Sequence, residues 1–279
     1  MRLGIGTYTY TWAVGVPGHL PEKPLIAADI VRKASTAGLH CAQIADNLPL
    51  EELSTEERHE LAELAETRRV AIEVGGRRMT PDHLARLIDV AAFFGSHVLR
   101  FVVDGPGYEP TFDEITTVIR DALPRLREAG VRLAIENHDR LLAAEFREIV
   151  KSTDEDQVGI CLDSVNSLGA GEAVREVVGI LAPYALNLHL KDFTVRRVSH
   201  QMGFVVEGTP AGHGMLDVPW LLGEVRAHGR CQSAILELWT PPESTPEKTI
   251  ATEARWAEES LHYLKPLFAP PSAEAKPSS

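Results

Sequence analysis

Eight short apolar runs alternate with longer amphipathic stretches, and this alternation limits the folds open to the chain more than any other feature. The runs span residues 3–7, 40–44, 70–74, 97–103, 131–136, 158–163, 185–191 and 234–238. They are rich in Val, Ile and Leu, as expected for parallel strands covered by helices. The intervening stretches carry helical signals. Ser54-Thr55-Glu56-Glu57 is a capping box, opening a helix with Leu61, Leu64 and Ala65 on one face. Thr80-Pro81 sets a cap before a proline at the first helical position, and Leu84, Leu87, Ile88 and Ala91 follow at helical spacing. Thr111-Phe112-Asp113-Glu114 opens another helix, with a predicted buried face of Ile115, Val118, Ile119 and Ala122. Further helices fit residues 25–37, 142–152, 172–181, 218–228 and 246–264. Gly38, Gly95, Gly130 and Gly229 each follow a helical stretch, where a left-handed residue closes the last turn.

Strand–helix alternation through eight units predicts an α/β fold, a single-domain (β/α)8 TIM barrel over residues 1–265. Residues 266–279, rich in Pro and Ser, are expected to form a disordered C-terminal tail. An open doubly wound sheet is the alternative, and the lack of a glycine-rich dinucleotide fingerprint after the first run counts against it. Residues 193–214 are the longest break in the pattern; at a barrel mouth such a segment reads as a lid.

Composition narrows the function classes. The net charge of −12 argues against nucleic acid as a partner, because neutralising phosphates requires clustered Lys and Arg. A small anionic substrate stays open, since a local arginine pocket can oppose the global field. Cys41, Cys161 and Cys231 are too few and too widely spaced for a disulfide framework, and each sits in an apolar run as a small core residue. The N-terminus lacks a signal-peptide core, and no apolar run approaches the length of a membrane span. No membrane partnership and a cytoplasmic location are therefore expected.

Barrels of this kind keep their active sites at the C-terminal ends of the strands. Strands five to eight there end in Glu136-Asn137-His138, Leu162-Asp163, His189-Leu190-Lys191-Asp192 and Leu236-Glu237-Leu238-Trp239. Charged side chains are seldom buried unless paired or metal-bound, and four consecutive strands deliver an acid or a His at one level. Strand alternation turns Asn187, His189 and Lys191 inward, and Glu136 with His138. Glu136, Asp163, His189 and Glu237 together suit one hard or borderline divalent ion with open positions for substrate oxygens. Mn²⁺, Mg²⁺ or Co²⁺ fits better than a thiolate-type zinc site.

These stretches, in this order and spacing, resemble the xylose isomerase-like barrels, in the branch of sugar phosphate isomerase/epimerase-like proteins. The resemblance runs from about Leu3 to Leu264. It implies a metal on Glu136, Asp163, His189 and Glu237, and the two glutamates Glu136 and Glu237 as acid and base on opposite faces of the substrate. It further implies a sugar or sugar-acid substrate processed through an enediolate, and pairing with further copies of the chain. Epimerases of this family commonly carry a His three residues after the strand-six Asp, where this chain has Asn166, and an Arg six residues after the metal His, where it has Val195. The DNA-repair endonucleases of the same fold need extra histidines that this chain lacks.

The remaining candidates are substrate contacts with bland alternatives. His138 either meets substrate or packs. Arg100 holds a substrate carboxylate or pairs with Glu73. Lys191 holds an oxyanion or neutralises the acids. Arg196 and Arg197 hold a carboxylate or phosphate, or lie on the surface. Tyr8, Tyr10, Trp12 and Trp239 form an apolar wall or pack the rim. The glycine-rich stretch 208–214 lacks the Lys-Ser/Thr of a phosphate loop and reads as a flexible turn. The expected function is that of a metal-dependent sugar or sugar-acid isomerase or epimerase. Loss of the epimerase His and the arginines near the mouth favour an acid substrate. A lyase, decarboxylase or dehydratase of a 3-oxo sugar acid is the close alternative. A non-catalytic sugar-binding barrel is the alternative of another class.

Overall fold

The computed structural model describes residues 1–269. Eight parallel strands close into a barrel. They are β1 (Arg2–Gly6), β2 (Cys41–Ile44), β3 (Ala71–Arg77), β4 (Val98–Val102), β5 (Arg132–Glu136), β6 (Val158–Asp163), β7 (Ala185–Leu190) and β10 (Ser233–Leu236). Each pairs with its sequence neighbour in the barrel, and β10 pairs with both β7 and β1 to close it. Every one of the eight apolar runs thus becomes a barrel strand. The other two strands, β8 (Asp192–Arg197) and β9 (Phe204–Thr209), form a separate antiparallel hairpin. Residues 193–214, read from the sequence as irregular, are therefore mostly an ordered hairpin.

The helices are α1 (Thr11–Val14), α2 (Ala27–Thr36), α3 (Thr55–Arg68), α4 (Pro81–Phe93), α5 (Phe112–Ala129), α6 (Ala143–Ser152), α7 (Val174–Leu181), α8 (Val218–Ala227) and α9 (Pro246–Phe268). Ser54, Thr80 and Thr111 cap α3, α4 and α5 as their motifs predict, each side chain accepting a backbone N–H in the first turn. All four helix-following glycines adopt φ between 63 and 69°. On α4, Leu84, Leu87, Ile88 and Ala91 are fully enclosed against the barrel; truncating Leu87 to Ala would cost about 2–5 kcal/mol. On α5, Ile115 and Ile119 are buried, whereas Val118 and Ala122 are only partly covered and Leu126 completes the face. α9 continues to Phe268, past the start of the expected tail. Residues 270–279 lie outside the described residues. Among the described residues no helix is long and apolar enough to cross a membrane.

The hairpin is anchored at its base by one carboxylate. Asp192 Oδ1 accepts the N–H groups of Phe193 and Leu216 at 2.8 and 3.0 Å, and Oδ2 those of Gly212 and Gly214 at 2.9 and 3.0 Å. The glycine-rich stretch is thus an anion cradle after all, filled by the protein's own Asp192. A Cβ on Gly214 would collide with that carboxylate, so the close approach requires glycine.

Candidate active site

Glu136 and Asp163 are the last residues of β5 and β6, His189 is the penultimate residue of β7, and Glu237 directly follows β10. All four are at most 2 % exposed. Register sets Asp163 beside His189, and the Glu237 N–H donates to Leu190 O at 3.0 Å, so adjacent strands deliver the groups to one level. From His189 Nδ1 the distances are 3.2 Å to Glu237 Oε1, 3.4 Å to Glu136 Oε2 and 3.8 Å to Asp163 Oδ2. The structure therefore brings all four predicted ligands together.

The donor set fits a divalent cation on three observations. First, His189 Nδ1 is buried among three carboxylates without a hydrogen-bond partner, while Nε2 is engaged by Gln43 Oε1 at 2.7 Å. A lone pair aimed at anions is unfavourable unless a cation lies between them. Second, Asp163 Oδ1 is held by the N–H groups of Val165 and Asn166 at 2.9 and 2.8 Å, which turns Oδ2 toward His189 Nδ1 at 3.8 Å and the Lys191 ammonium at 2.8 Å. Third, oxygen donors with one imidazole match a hard or borderline ion. Cys161 lies close to Glu136 and His189, but burial pushes its thiol well above its ordinary pKa and its S–H donates to Asn187 Oδ1 at 3.0 Å, so it remains a thiol.

Two cations share the acidic cluster. Lys191 Nζ lies 2.8 Å from Asp163 Oδ2, 2.9 Å from Glu237 Oε2 and 3.3 Å from Asn166 Oδ1. Burial lowers its pKa, and Asp163, Glu237 and Glu136 more than reverse this, so the ammonium stays charged. Arg100 donates through Nε to Glu136 Oε2 and through Nη1 to Asp46 Oδ1 at 2.9 Å. Pairing of Arg100 with Glu73 does not occur, because register sets Arg100 beside Gly75 and leaves Glu73 beside Gln43, lower in the barrel. Burial raises the pKa of Glu136, but the Arg100 and Lys191 cations outweigh it and hold the carboxyl down. Asn166 Nδ2 donates to Glu136 Oε1 at 2.9 Å.

A cavity of about 650 Å³ opens above these groups. His138, Asn166, Lys191, Glu207 and Glu237 are the charged, imidazole and amide groups of its lining, and Tyr8, Trp12, Val206 and Trp239 form most of its apolar side. Tyr10 is elsewhere, in an outer groove of about 700 Å³ beside α2 and α9 that contains none of the four acid and imidazole groups. His138 accepts from Arg77 Nη2 at 3.0 Å through Nε2, and its Nδ1 meets Asp139 at 2.5 Å. Neither Arg196 nor Arg197 lines the cavity: Arg196 is bidentate at 2.5 and 2.7 Å to Glu207, which does, and Arg197 donates to Gln201 O at 2.8 Å and stacks on Phe204. Their hairpin supplies partners of its own.

Sequence reasoning missed Asp46, Arg77, Gln43 and Glu253, and named Glu73 only as a partner for Arg100. For Gln43 and Glu73 the signal was present, as polar residues inside the runs Cys41–Ile44 and Ala71–Arg77. Glu253 on α9 is buried and accepts the N–H groups of Trp12 and Ala13 at 2.9 and 3.1 Å, tying down the turn that carries the Trp12 wall. Burial pushes its carboxyl up to about 7, against the pull of those N–H groups and Lys33.

A closed parallel barrel with acid, imidazole and ammonium groups converging at its strand ends carries them where barrel enzymes keep their active sites. The family described as xylose isomerase-like TIM barrel matches residues 18–266, and the chain belongs to it. The 3-oxo-isoapionate decarboxylase of Pectobacterium atrosepticum is 30 % identical over 264 residues, 95 % of each chain. Among solved structures, D-psicose 3-epimerase from Clostridium cellulolyticum H10, crystallised with D-tagatose, superposes with a TM-score of 0.70 at 14 % identity, covering 95 % of this chain and 97 % of that one. A xylose isomerase-like barrel protein from Mycobacterium smegmatis in complex with magnesium gives 0.68 at 15 % identity, covering 94 % and 97 %. At these identities the structural matches speak for the fold alone.

Proposed function

We propose that the protein is a divalent-metal-dependent lyase that decarboxylates a 3-oxo sugar acid. The observation that carries this reading is the 30 % identity, over 95 % of both chains, to a decarboxylase of a 3-oxo acid. The replacement of the epimerase His by Asn166 supports it, as does the paired cation Lys191 facing the cavity.

A 3-oxo acid loses CO₂ when the electrons of its C1–C2 bond move toward the C3 carbonyl oxygen, leaving an enolate that takes a proton at C2. A divalent ion held by Glu136, Asp163, His189 and Glu237 would supply the electron sink at the carbonyl oxygen. The chain's own groups do the rest. Lys191 keeps a full positive charge next to that position and compensates negative charge as it develops. Asn166 and His138 are hydrogen-bonding groups for the substrate's hydroxyls. Trp12, Val206 and Trp239 offer an apolar wall on which a carboxylate is poorly solvated and neutral CO₂ is well accommodated. The two glutamates separate by environment. Glu136 is held ionised by Arg100, whereas Glu237 lines the cavity 2.9 Å from the Lys191 ammonium and relays to C2 a proton that Lys191 gives up and regains from water.

The test is turnover of 3-oxo sugar acids and ketoses in D₂O, followed by NMR and CO₂ release. The expected result is CO₂ with one deuteron incorporated at the product carbon that was C2 of the substrate. Epimerised or isomerised ketose without CO₂ would return the assignment to a sugar isomerase or epimerase, and binding without any turnover would leave a sugar-binding barrel.

A further inference from the structure

Beneath the candidate metal site lies a closed polar layer that the reaction does not use. Gln43, Glu73, Asn187 and Ser233 are each at most 4 % exposed, at the centre of the barrel. The Gln43 amide can point only one way. Its Nε2 donates to Glu73 Oε2 at 3.3 Å and to Asn187 Oδ1 at 3.1 Å. Turned over, its carbonyl oxygen would face a carboxylate and a second carbonyl oxygen. Asn187 is held in turn: Nδ2 donates to Glu73 Oε2 at 3.2 Å and to Ser233 Oγ at 2.8 Å, while Oδ1 also receives the Cys161 thiol. Gln43 Oε1 is thereby left as a pure acceptor 2.7 Å from His189 Nε2.

We infer that Gln43, oriented by Glu73 and Asn187, is a positioning residue that forces the His189 proton onto Nε2 and so reserves the Nδ1 lone pair for the metal. This rests on the metal site of the proposed function. The layer supplies the tautomer control that a carboxylate provides in many metal sites, but with a neutral amide interposed. The interposition has an electrostatic reason. A Glu at position 43 would set a second buried carboxylate against Glu73, where the amide now donates at 3.3 Å. Glu73 thus acts on His189 at one remove, through the direction of an amide.

Two measurements on the full-length protein test this. Mn²⁺ affinity, by titration calorimetry, is expected to weaken about 10–100-fold in Gln43→Met, which keeps volume and removes the acceptor. Glu73→Gln, which keeps shape and removes the orienting charge, is expected to weaken it by a smaller factor. In the native protein loaded with diamagnetic Zn²⁺, ¹⁵N-correlated NMR of the imidazoles should find the His189 proton on Nε2. Mn²⁺ binding by Gln43→Met as tight as native, or a His189 proton on Nδ1, overturns the inference. The NMR readout needs no variant and stands if Gln43→Met fails to fold. Failure of the native protein to bind either ion removes the metal reading itself, and the positioning role with it.

Discussion

The barrel interior and the β8–β9 hairpin use the same residue types to opposite effect. Inside, the side chain of Arg100 is 4 % exposed and bridges Glu136 and Asp46; on the hairpin, Arg196 is 56 % exposed and grips Glu207 at 2.5 and 2.7 Å. Both are arginine–carboxylate pairs with good geometry. The difference is water. Exposed pairs contribute about 0–1 kcal/mol because solvent screens them, whereas removing one partner of a buried pair costs about 3–5 kcal/mol because the other charge is left unpaired. Chemistry and fold stability are therefore tied together in the interior and separable on the hairpin.

The sharpest way to break this comparison is to strike the interior's reactive groups. Glu237→Gln is expected to lower turnover about 10³-fold, within the range for loss of a positioned acid–base group, with the circular dichroism spectrum unchanged. Chelation with EDTA should abolish turnover, and Mn²⁺ or Co²⁺ should restore it; activity that survives exhaustive chelation would sink the metal reading. Next in size, Arg100→Met should destabilise the fold by about 3–5 kcal/mol in urea unfolding, because Glu136 and Asp46 lose their shared cation. A loss below about 1 kcal/mol would mean that the interior tolerates charge as the hairpin does.

A pH experiment probes a third position, intermediate in effect. The Glu253 carboxyl is raised to about 7 in the fold, so between the ordinary carboxylate range and pH 7 the native state holds a proton that the unfolded chain has lost. The contribution of Glu253 to stability is thus fully present at pH values below that range and declines as pH rises through about 7. The stability of native protein relative to Glu253→Gln should fall between pH 5 and pH 8; a flat difference in urea unfolding would contradict the raised pKa. The smallest expected effect is on the hairpin. Arg196→Ala should change stability by less than about 1 kcal/mol and KM by less than about threefold. A tenfold rise in KM would restore Arg196 as a substrate-carboxylate contact.

The parts of the site legible in the sequence share one property: each could be read from its own strand. Glu136, Asp163, His189 and Glu237 lie at or near the ends of apolar runs, and strand alternation sets the direction of each side chain without reference to any other strand. Arg100 illustrates the limit. Its place on an apolar run marked it as unusual, but the protein partner named for it, Glu73, was inferred without knowledge of the register that sets it beside Gly75. The hairpin was missed because residues 193–214 carry polar and glycine residues that resemble a loop. Only the folded chain brings the Asp192 carboxylate to the N–H groups of Gly212 and Gly214.

By itself the sequence determined the barrel, its helix caps and the level at which four acid or imidazole groups emerge, because periodicity, capping and alternation act over a few residues. The tertiary structure alone decided how those groups are charged and oriented. Gln43 reaches His189 across 146 residues of chain, and Glu253 reaches Trp12 across 241. Such partners meet only when the barrel closes and excludes the water that would otherwise satisfy each of them separately.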